Sequence, residues 1–160
     1  MSPERFVDYV KVEQESLRRF LLALCGGDGT MADDIAQDAL IRAYVASGNF
    51  LGLSKFRTWL FRIAYNCYLD LKKKAVVETV PVDSKQVLDV PSVDETDASF
   101  RYQQLYQALE RLQEKERVVT VLYYFEELSI KEIASVLRMP VGTVKYHLSN
   151  ARKHLRNFLR

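Results

Sequence analysis

Glycine, proline and cysteine are scarce in this 160-residue chain, which contains 6, 4 and 2 of them. So few turn-forming residues disfavour a fold of many short strands and favour helices. The two cysteines, Cys25 and Cys67, form no Cys-x-x-Cys pair, so the sequence offers neither a disulfide scaffold nor a cysteine motif for a metal. We therefore expect a reduced, cytoplasmic environment and no cofactor.

Long apolar runs are absent as well. Residues 1–6 lack the apolar core of a signal peptide, and no run approaches the roughly 18 apolar residues of a membrane-spanning helix. The sequence has no glycine-rich phosphate loop and no Ser–His or Cys–His arrangement with a supporting signature. His147 and His154 have no His or Cys partners at ligand spacing. These absences argue against membrane insertion, an enzyme and a metal site.

The overall charge is only +2, but its distribution is uneven. Residues 100–160 contain 11 Lys and Arg against 6 Asp and Glu, whereas residues 75–99 contain 1 against 6. Two blocks with a basic balance, 1–74 and 100–160, therefore flank an acidic strip. Such asymmetry indicates contact with nucleic acid through the ends of the chain.

Helical periodicity fills both basic blocks, and Ser2, Thr30 and Ser54 are the expected caps of the first three helices. Residues 75–99 carry two prolines, many acids and no sustained period, so we interpret them as a linker. A brief strand at 76–80 is the alternative for part of that stretch. We predict an all-α fold with two small helical domains, residues 1–74 and 100–160, joined by a flexible acidic linker.

The most specific local pattern lies at residues 129–155. Ser129–Glu132 is a capping box that starts a short helix, and Pro140 is expected at the first position of a longer helix. Ala134 suits a close helix crossing, and residues 129–160 contain seven Lys and Arg against one Glu. The combination predicts a helix-turn-helix with its second helix in the major groove. An amphipathic hairpin with a solvated basic face is the alternative.

Residues around the second helix of this motif are the candidate contacts to duplex DNA. They are Pro140, Val141, Gly142, Thr143, Lys145, Tyr146, His147, Ser149, Asn150, Arg152 and Lys153. Arg152 and Lys153 lie further along the helix and are expected on phosphate. Arg138 occupies a turn position that is commonly Gly, where a left-handed backbone costs other residues about 1 kcal/mol. Either the turn has another shape or Arg138 reaches a phosphate.

A second candidate surface lies at residues 54–74, where aromatic and basic residues alternate. This mixture suits single-stranded DNA, because bases stack on rings while cations follow the backbone. The candidates are Lys55, Arg57, Phe61, Arg62, Tyr65, Asn66 and Lys73. For Phe61 and Tyr65 a place in the core is an open alternative, and Phe56 and Trp59 are expected in the core.

Three segments, taken in order, resemble the sigma-70 family of bacterial sigma factors, specifically its small extracytoplasmic-function (ECF) group. Ala32–Tyr44 is similar to region 2.2 of that family, and Phe56–Asn66, with Leu69 and Asp70, is similar to regions 2.3 and 2.4. Leu128–Ala134 and Pro140–Lys145 are similar to region 4.2. The resemblance implies an RNA polymerase sigma factor without catalytic residues of its own. Region 2 would bind core polymerase and melt and read the minus-ten element, while region 4 would read the minus-thirty-five element.

The resemblance also implies partners, namely the β′ and β subunits of core RNA polymerase, promoter DNA and an anti-sigma factor. Acidic and apolar side chains of the first segment would dock on the β′ subunit. They are Asp33, Asp34, Gln37, Asp38, Leu40, Ile41 and Tyr44. An ordinary solvated helix whose acids favour the helix dipole is the alternative. The loop 47–55 would help to hold a flipped minus-ten base, supported by Asn66.

One rival interpretation is a LuxR-class regulator, whose DNA-binding helices share the pattern of Thr143–Asn150. Residues 100–160 alone do not separate the two classes. A LuxR regulator would carry a receiver or ligand domain with strands, whereas residues 1–74 show only helical periodicity. Tyr146 and His147 stand where many sigma factors have Ser-Arg, which leaves open which of the two touches DNA.

Overall fold

The computed structural model describes residues 1–77 and 97–158. Within these ranges the chain is helical and has no strand, which confirms the all-α prediction. The helices are α1 Pro3–Leu24, α2 Gly29–Ala46, a 3-10 turn Ser47–Asn49, α3 Phe56–Val77, α4 Asp97–Arg111, α5 Glu114–Thr120, a π-helical turn Val121–Phe125, α6 Ile130–Leu137 and α7 Val141–Phe158. No helix in the described part of the chain is long and apolar enough to cross a membrane.

Most of the predicted linker, residues 75–99, lies outside the described residues. Its first residues continue α3 as far as Val77, so the start of the alternative strand at 76–80 is helical instead. At its other end α4 begins at Asp97. The assignment of 1–74 and 100–160 as separate domains stays a prediction.

Local hydrogen bonds explain where the first helices begin. The Ser2 hydroxyl accepts from the Arg5 N–H at 3.2 Å and Pro3 occupies the first helical position, as predicted. The cap of α2 is Asp28 rather than Thr30, because the Asp28 carboxylate accepts from the Met31 N–H at 3.1 Å. An aspartate at this place satisfies a free N–H and puts negative charge at the positive end of the helix.

Buried residues from both ends of the chain form one continuous hydrophobic cluster. We call α1–α3 the N-terminal block and α4–α7 the C-terminal block. α3 contacts α6, and α1 contacts the π-helical turn, so the two blocks pack against each other. Inside the N-terminal block, Phe20 of α1 stacks on Phe61 of α3 with ring centroids 5.0 Å apart.

Both cysteines are free. Burial raises the pKa of the Cys25 thiol to about 12 and that of Cys67 to about 11. Since the thiolate is the reactive form, both side chains behave as small protonated hydrophobes at neutral pH.

The parts of the predicted helix-turn-helix are present. The Ser129 hydroxyl accepts from the Glu132 N–H at 3.0 Å, and the Glu132 carboxylate accepts from the Ser129 N–H at 3.1 Å. This is the reciprocal capping box expected from the sequence. Pro140 lies one residue earlier than predicted, just before α7, where its carbonyl accepts from the Val144 N–H at 3.1 Å.

Arg138 ends α6 in the left-handed conformation, with φ 54° and ψ 49°. The turn therefore has the backbone shape at which Gly is usual, and the Arg138 side chain is exposed.

Arg138→Gly is expected to raise the free energy of unfolding by about 1 kcal/mol, because glycine adopts this backbone without a Cβ penalty. Urea denaturation followed by circular dichroism measures the change. An unchanged or lower stability would show that the Arg138 side chain makes a contact worth at least as much as the backbone strain.

Candidate functional site

The outer face of α7 carries the predicted contacts to duplex DNA. Val144, Leu148 and Ala151 are buried on the inner face of the helix. The exposed members of the predicted set are Pro140, Val141, Gly142, Lys145, Tyr146, Ser149, Arg152 and Lys153, while Thr143, His147 and Asn150 are half-buried. The structure thus brings the predicted residues onto the accessible side of one helix. Their contact with DNA stays a prediction.

Arg152 is held by two tyrosines of the π-helical turn. Its Nε donates to the Tyr124 hydroxyl at 2.7 Å, and its guanidinium carbon lies 5.7 Å from the ring centroids of both Tyr123 and Tyr124. The hydrogen bond to Tyr124 raises the pKa of Arg152 above its ordinary value. A fixed and exposed positive charge at this place is suited to a phosphate.

His154 joins α7 to α5. Its Nδ1 lies 2.8 Å from an oxygen of Glu116, a carboxylate whose side chain is only 4% exposed. Nowhere in residues 1–77 or 97–158 do three or more His, Cys, Asp or Glu side chains gather in a way that could hold a metal.

Two predicted DNA contacts of α3 face the C-terminal block instead of solvent. Arg62 donates from Nε to the Ser135 carbonyl at 3.1 Å and from Nη2 to the Ser135 hydroxyl at 2.6 Å. Arg57 donates from Nη2 to the Glu126 carbonyl at 3.0 Å, and the same nitrogen lies 3.4 Å from the Glu126 carboxylate. Both guanidinium groups therefore already have oxygen partners.

A third predicted contact, Lys55, makes a longer approach to the same block. Its Nζ lies 3.7 Å from an oxygen of Glu132, the acidic member of the capping box. Burial alone would raise the pKa of Glu132, but hydrogen bonds from Ser129 and the nearby Lys55 hold it below its ordinary value. The Glu132 carboxylate is thus ionised at neutral pH and attracts Lys55.

Phe61 and Tyr65 require a correction. Both were candidates for stacking on bases, yet Phe61 is 0% exposed and Tyr65 is 5% exposed. Burial raises the pKa of Tyr65 to about 12. Because this side of α3 packs into the core, neither ring has a face open to a base in this conformation, and the stacking prediction is wrong for both. Asn66 and Lys73 are exposed.

The outer face of α2 combines apolar and acidic side chains. Ile41 is 64% exposed and Tyr44 is 50% exposed, with the Tyr44 ring in a T-shaped contact with Phe6. Of the other residues predicted to bind polymerase, Asp33, Asp34, Gln37 and Asp38 are exposed and Leu40 is half-buried. The structure places all seven on one helix, and their role stays a prediction.

Two of these acids already have partners. Asp33 pairs with Arg18 of α1 at 3.1 Å, and Asp38 pairs with Arg42 of α2 at 3.2 Å. Both pairs are about half exposed, so they are weak and open to exchange with another cation.

Sequence reasoning missed an ion pair that involves a fully buried carboxylate. The Glu126 side chain is 0% exposed, and its carboxylate accepts from Arg19 Nη2 at 2.7 Å and from Arg19 Nε at 3.0 and 3.1 Å. The hydrogen bond to Glu126 raises the pKa of Arg19. The two residues are 107 positions apart in the chain and belong to no motif, so no local signal could have joined them.

Family models match both blocks of this chain. The model described as sigma-70 region 2 matches residues 10–76, and the model described as sigma-70, region 4 matches residues 102–155. The chain is 35% identical to the ECF RNA polymerase sigma factor SigW of Bacillus subtilis, over 98% of this chain and 90% of that protein. It is 32% identical to the ECF RNA polymerase sigma-E factor of Escherichia coli K12, over 78% of this chain and 71% of that protein.

Two solved structures share the fold over almost the whole chain. One is the sigma factor RpoE of Bartonella quintana in complex with the anti-sigma factor NepR, with a TM-score of 0.76 and 25% identity, covering 98% of this chain and 97% of that one. The other is CnrH in complex with the cytosolic domain of CnrY, with a TM-score of 0.77 and 25% identity, covering 99% of this chain and 89% of that one.

Proposed function

We propose, from the premise that this chain belongs to the ECF group of the sigma-70 family of RNA polymerase sigma factors, that α2, α3 and α7 each contact a different partner in promoter recognition. The chain is a transcription initiation factor that directs core polymerase to promoters. The LuxR alternative is not favoured, because residues 10–76 match sigma-70 region 2.

The assignment of α7 rests on one observation: α7 is the second helix of a helix-turn-helix, and its polar and basic face is exposed. Such a helix enters the major groove, where its side chains reach base edges and flanking cations reach phosphates. We assign the minus-thirty-five element to this face. Lys145 lies near the helix start, and Arg152 is fixed by Tyr124 at the end suited to phosphate.

We assign core polymerase to α2 and the minus-ten element to α3. The exposed Ile41 and Tyr44 supply apolar area among acidic neighbours, a combination that suits a basic partner surface. The remaining candidates are Arg57, Arg62, Asn66 and Lys73 on α3 and Lys55 just before it, at the end of the 47–55 loop with its exposed Leu51 and Leu53.

In this proposal the polymerase catalyses RNA synthesis, and this chain acts with it in the cytoplasm. A regulatory partner fits the same proposal. The similar RpoE of Bartonella quintana was solved with the anti-sigma factor NepR, and a protein of that class that covers α2 or α7 would silence this chain.

Transcription in vitro tests the function directly. Purified core polymerase, this protein and fragmented genomic DNA are combined, and the transcript start sites are mapped. Initiation at discrete sites with shared upstream sequences is the expected result. A silent core polymerase, together with footprints of the protein alone on duplex DNA, would favour the regulator interpretation and overturn the role of α2.

Lys145→Ala is expected to reduce transcription from a promoter found in that experiment by about tenfold, because a good base or phosphate contact is worth roughly 1–3 kcal/mol. The measurement is run-off transcription with holoenzyme at fixed salt. Lys115→Ala is the matched control, since it removes an exposed lysine at the start of α5. An equal loss of transcription in the two variants would show that Lys145 does not contact DNA.

A further inference from the structure

Tyr146 lies on the side of α7 that is turned away from the core. Successive residues of an α-helix are about 100° apart around its axis, and Tyr146 stands two positions after Val144 and two before Leu148, which are both buried. The Tyr146 side chain is therefore directed almost opposite to the buried side, and the residue is 63% exposed. Three polar residues share its side of the helix, at three, four and seven positions further on: Ser149, Asn150 and Lys153.

His147 supports the Tyr146 ring from one side. The two rings make a T-shaped contact, with centroids 5.5 Å apart and planes at 64° to each other. His147 is half-buried, so its ring is directed less far outwards than that of Tyr146. A tyrosine side chain has only two rotatable torsions, so a ring contact of this kind removes much of its remaining freedom. Tyr146 thus presents a positioned aromatic ring on a surface that is otherwise polar and basic.

A ring at this place favours one kind of base. All base pairs show hydrogen-bond donors and acceptors in the major groove, but thymine alone adds a C5-methyl group there. An aromatic ring gains from covering that methyl group, whereas the same ring over a polar base edge leaves donors or acceptors unpaired.

We propose that Tyr146 determines part of the sequence specificity of this chain by packing its ring against the C5-methyl group of a thymine in the minus-thirty-five element. The proposal rests on the assignment of that element to α7 above. It gives the two adjacent aromatic residues different roles: Tyr146 touches the base, and His147 positions Tyr146.

The surroundings of Tyr146 fit this role. Tyr146 lies within the first third of the 18-residue α7, and the beginning of such a second helix is the part that contacts base edges. Ser149 and Asn150 are short polar residues that can bond to neighbouring bases, while Lys153 lies further along and is suited to phosphate. Tyr146 therefore supplies the apolar contact of a face whose other members supply hydrogen bonds and charge.

Selection from random DNA tests the proposal without knowledge of any promoter. Duplexes with a randomised centre are incubated with the full-length chain, alone and with core polymerase, and the bound DNA is sequenced after several rounds. The wild-type chain and Tyr146→Phe are expected to enrich thymine at one position of the selected element, because both keep the ring. Tyr146→Ala is expected to lose the preference at that position and to keep the preferences at the others.

Removal of the methyl group itself gives a second readout. In the selected duplex this thymine is replaced by deoxyuridine, which pairs identically and lacks only the C5-methyl group. For the wild-type chain and Tyr146→Phe the Kd, measured by fluorescence anisotropy at fixed salt, is expected to rise about fourfold, the usual effect of one buried methyl-sized group. For Tyr146→Ala the Kd is expected to be the same for both duplexes.

Two controls belong to this measurement. Replacement of a thymine outside the selected element is the control on the DNA. Tyr102→Ala is the control on the protein, because it removes a tyrosine that is 60% exposed on α4, and it should keep the full sensitivity to deoxyuridine. Circular dichroism checks that each variant is folded.

Several results would overturn the proposal. If Tyr146→Phe behaved like Tyr146→Ala, the hydroxyl group rather than the ring would make the contact. Equal affinity of the wild-type chain for the thymine and deoxyuridine duplexes would exclude the methyl group, and a selection that enriches nothing would exclude specific reading by this face. Failure of the sigma-factor function would instead appear as silent core polymerase with the wild-type chain. A thymine preference that depends on Tyr146 can persist in that case, so the two failures are distinguishable.

Discussion

Phe61→Ala is expected to lower the free energy of unfolding by about 3–5 kcal/mol, the usual cost of removing a buried aromatic ring. Phe61 is fully buried and stacks on Phe20, with ring planes 22° apart. Alanine would leave a cavity between α1 and α3, where the surrounding side chains can collapse only in part. Since small domains are stable by about 5–15 kcal/mol in total, the loss is a large fraction of the whole.

Urea denaturation of the full chain, followed by circular dichroism, measures this change. Phe61→Leu keeps most of the volume and is expected to cost less than Phe61→Ala. Tyr146→Ala removes an aromatic ring that is 63% exposed on α7, so its effect on stability should stay within about 0.5 kcal/mol. If the Phe61→Ala protein were as stable as the wild type and lost only its binding to single-stranded DNA, Phe61 would be a stacking residue after all.

The aromatic assignments show where helical periodicity reaches its limit. A stripe of apolar residues predicts that α3 buries one face, and Phe56 and Leu60 are buried as that pattern requires. The stripe does not fix the width of the buried face, because that depends on how many neighbours pack around the helix. α3 packs on α1, α2 and α6, so Phe61 and Tyr65 beside the stripe are also buried.

The features that the sequence predicted well are local. The capping box joins Ser129 to Glu132 three residues later, and the strain at Arg138 concerns one backbone position. These interactions act within a single helical turn, so the types of the neighbouring residues are enough to predict them. The position of the cap of α2 is an exception, because Asp28 and Thr30 both satisfy the local rule and only the structure distinguishes them.

The contacts between the blocks required the structure. Charge counts describe a basic balance at both ends, but they cannot show that Arg62 contacts Ser135 or that Arg19 contacts Glu126. The two pairs span 73 and 107 positions, including residues 75–99, so neither periodicity nor spacing constrains them. A basic helix face was thus predicted as a free DNA surface when part of it is already occupied.

Ile41→Asp is expected to weaken binding to core RNA polymerase by about 30-fold or more, the effect of losing an interface residue worth at least 2 kcal/mol. Ile41 is 64% exposed, and its neighbours Tyr44 and Val45 are 50% and 78% exposed, which makes an apolar patch on α2. Aspartate would place an unpaired carboxylate in the centre of the docked patch, at a high desolvation cost. The fold itself should tolerate the change, because the side chain already faces solvent.

Val12→Asp is the matched control, since Val12 is a β-branched residue that is 74% exposed and lies on α1 rather than on α2. Both variants gain one negative charge at an accessible helical position. Binding is measured by titrating labelled protein with core polymerase and confirmed by run-off transcription. Equal affinities for the two variants would place the polymerase contact elsewhere on the N-terminal block.

The pattern across promoters separates this defect from a defect in DNA reading. Loss of polymerase docking should reduce transcription at every promoter by a similar factor, because it acts before any sequence is read. Lys145→Ala should instead affect promoters according to how much they depend on the minus-thirty-five element. If Ile41→Asp showed the same promoter dependence as Lys145→Ala, α2 would be acting in DNA recognition, and the division of work between α2 and α7 would have to be abandoned.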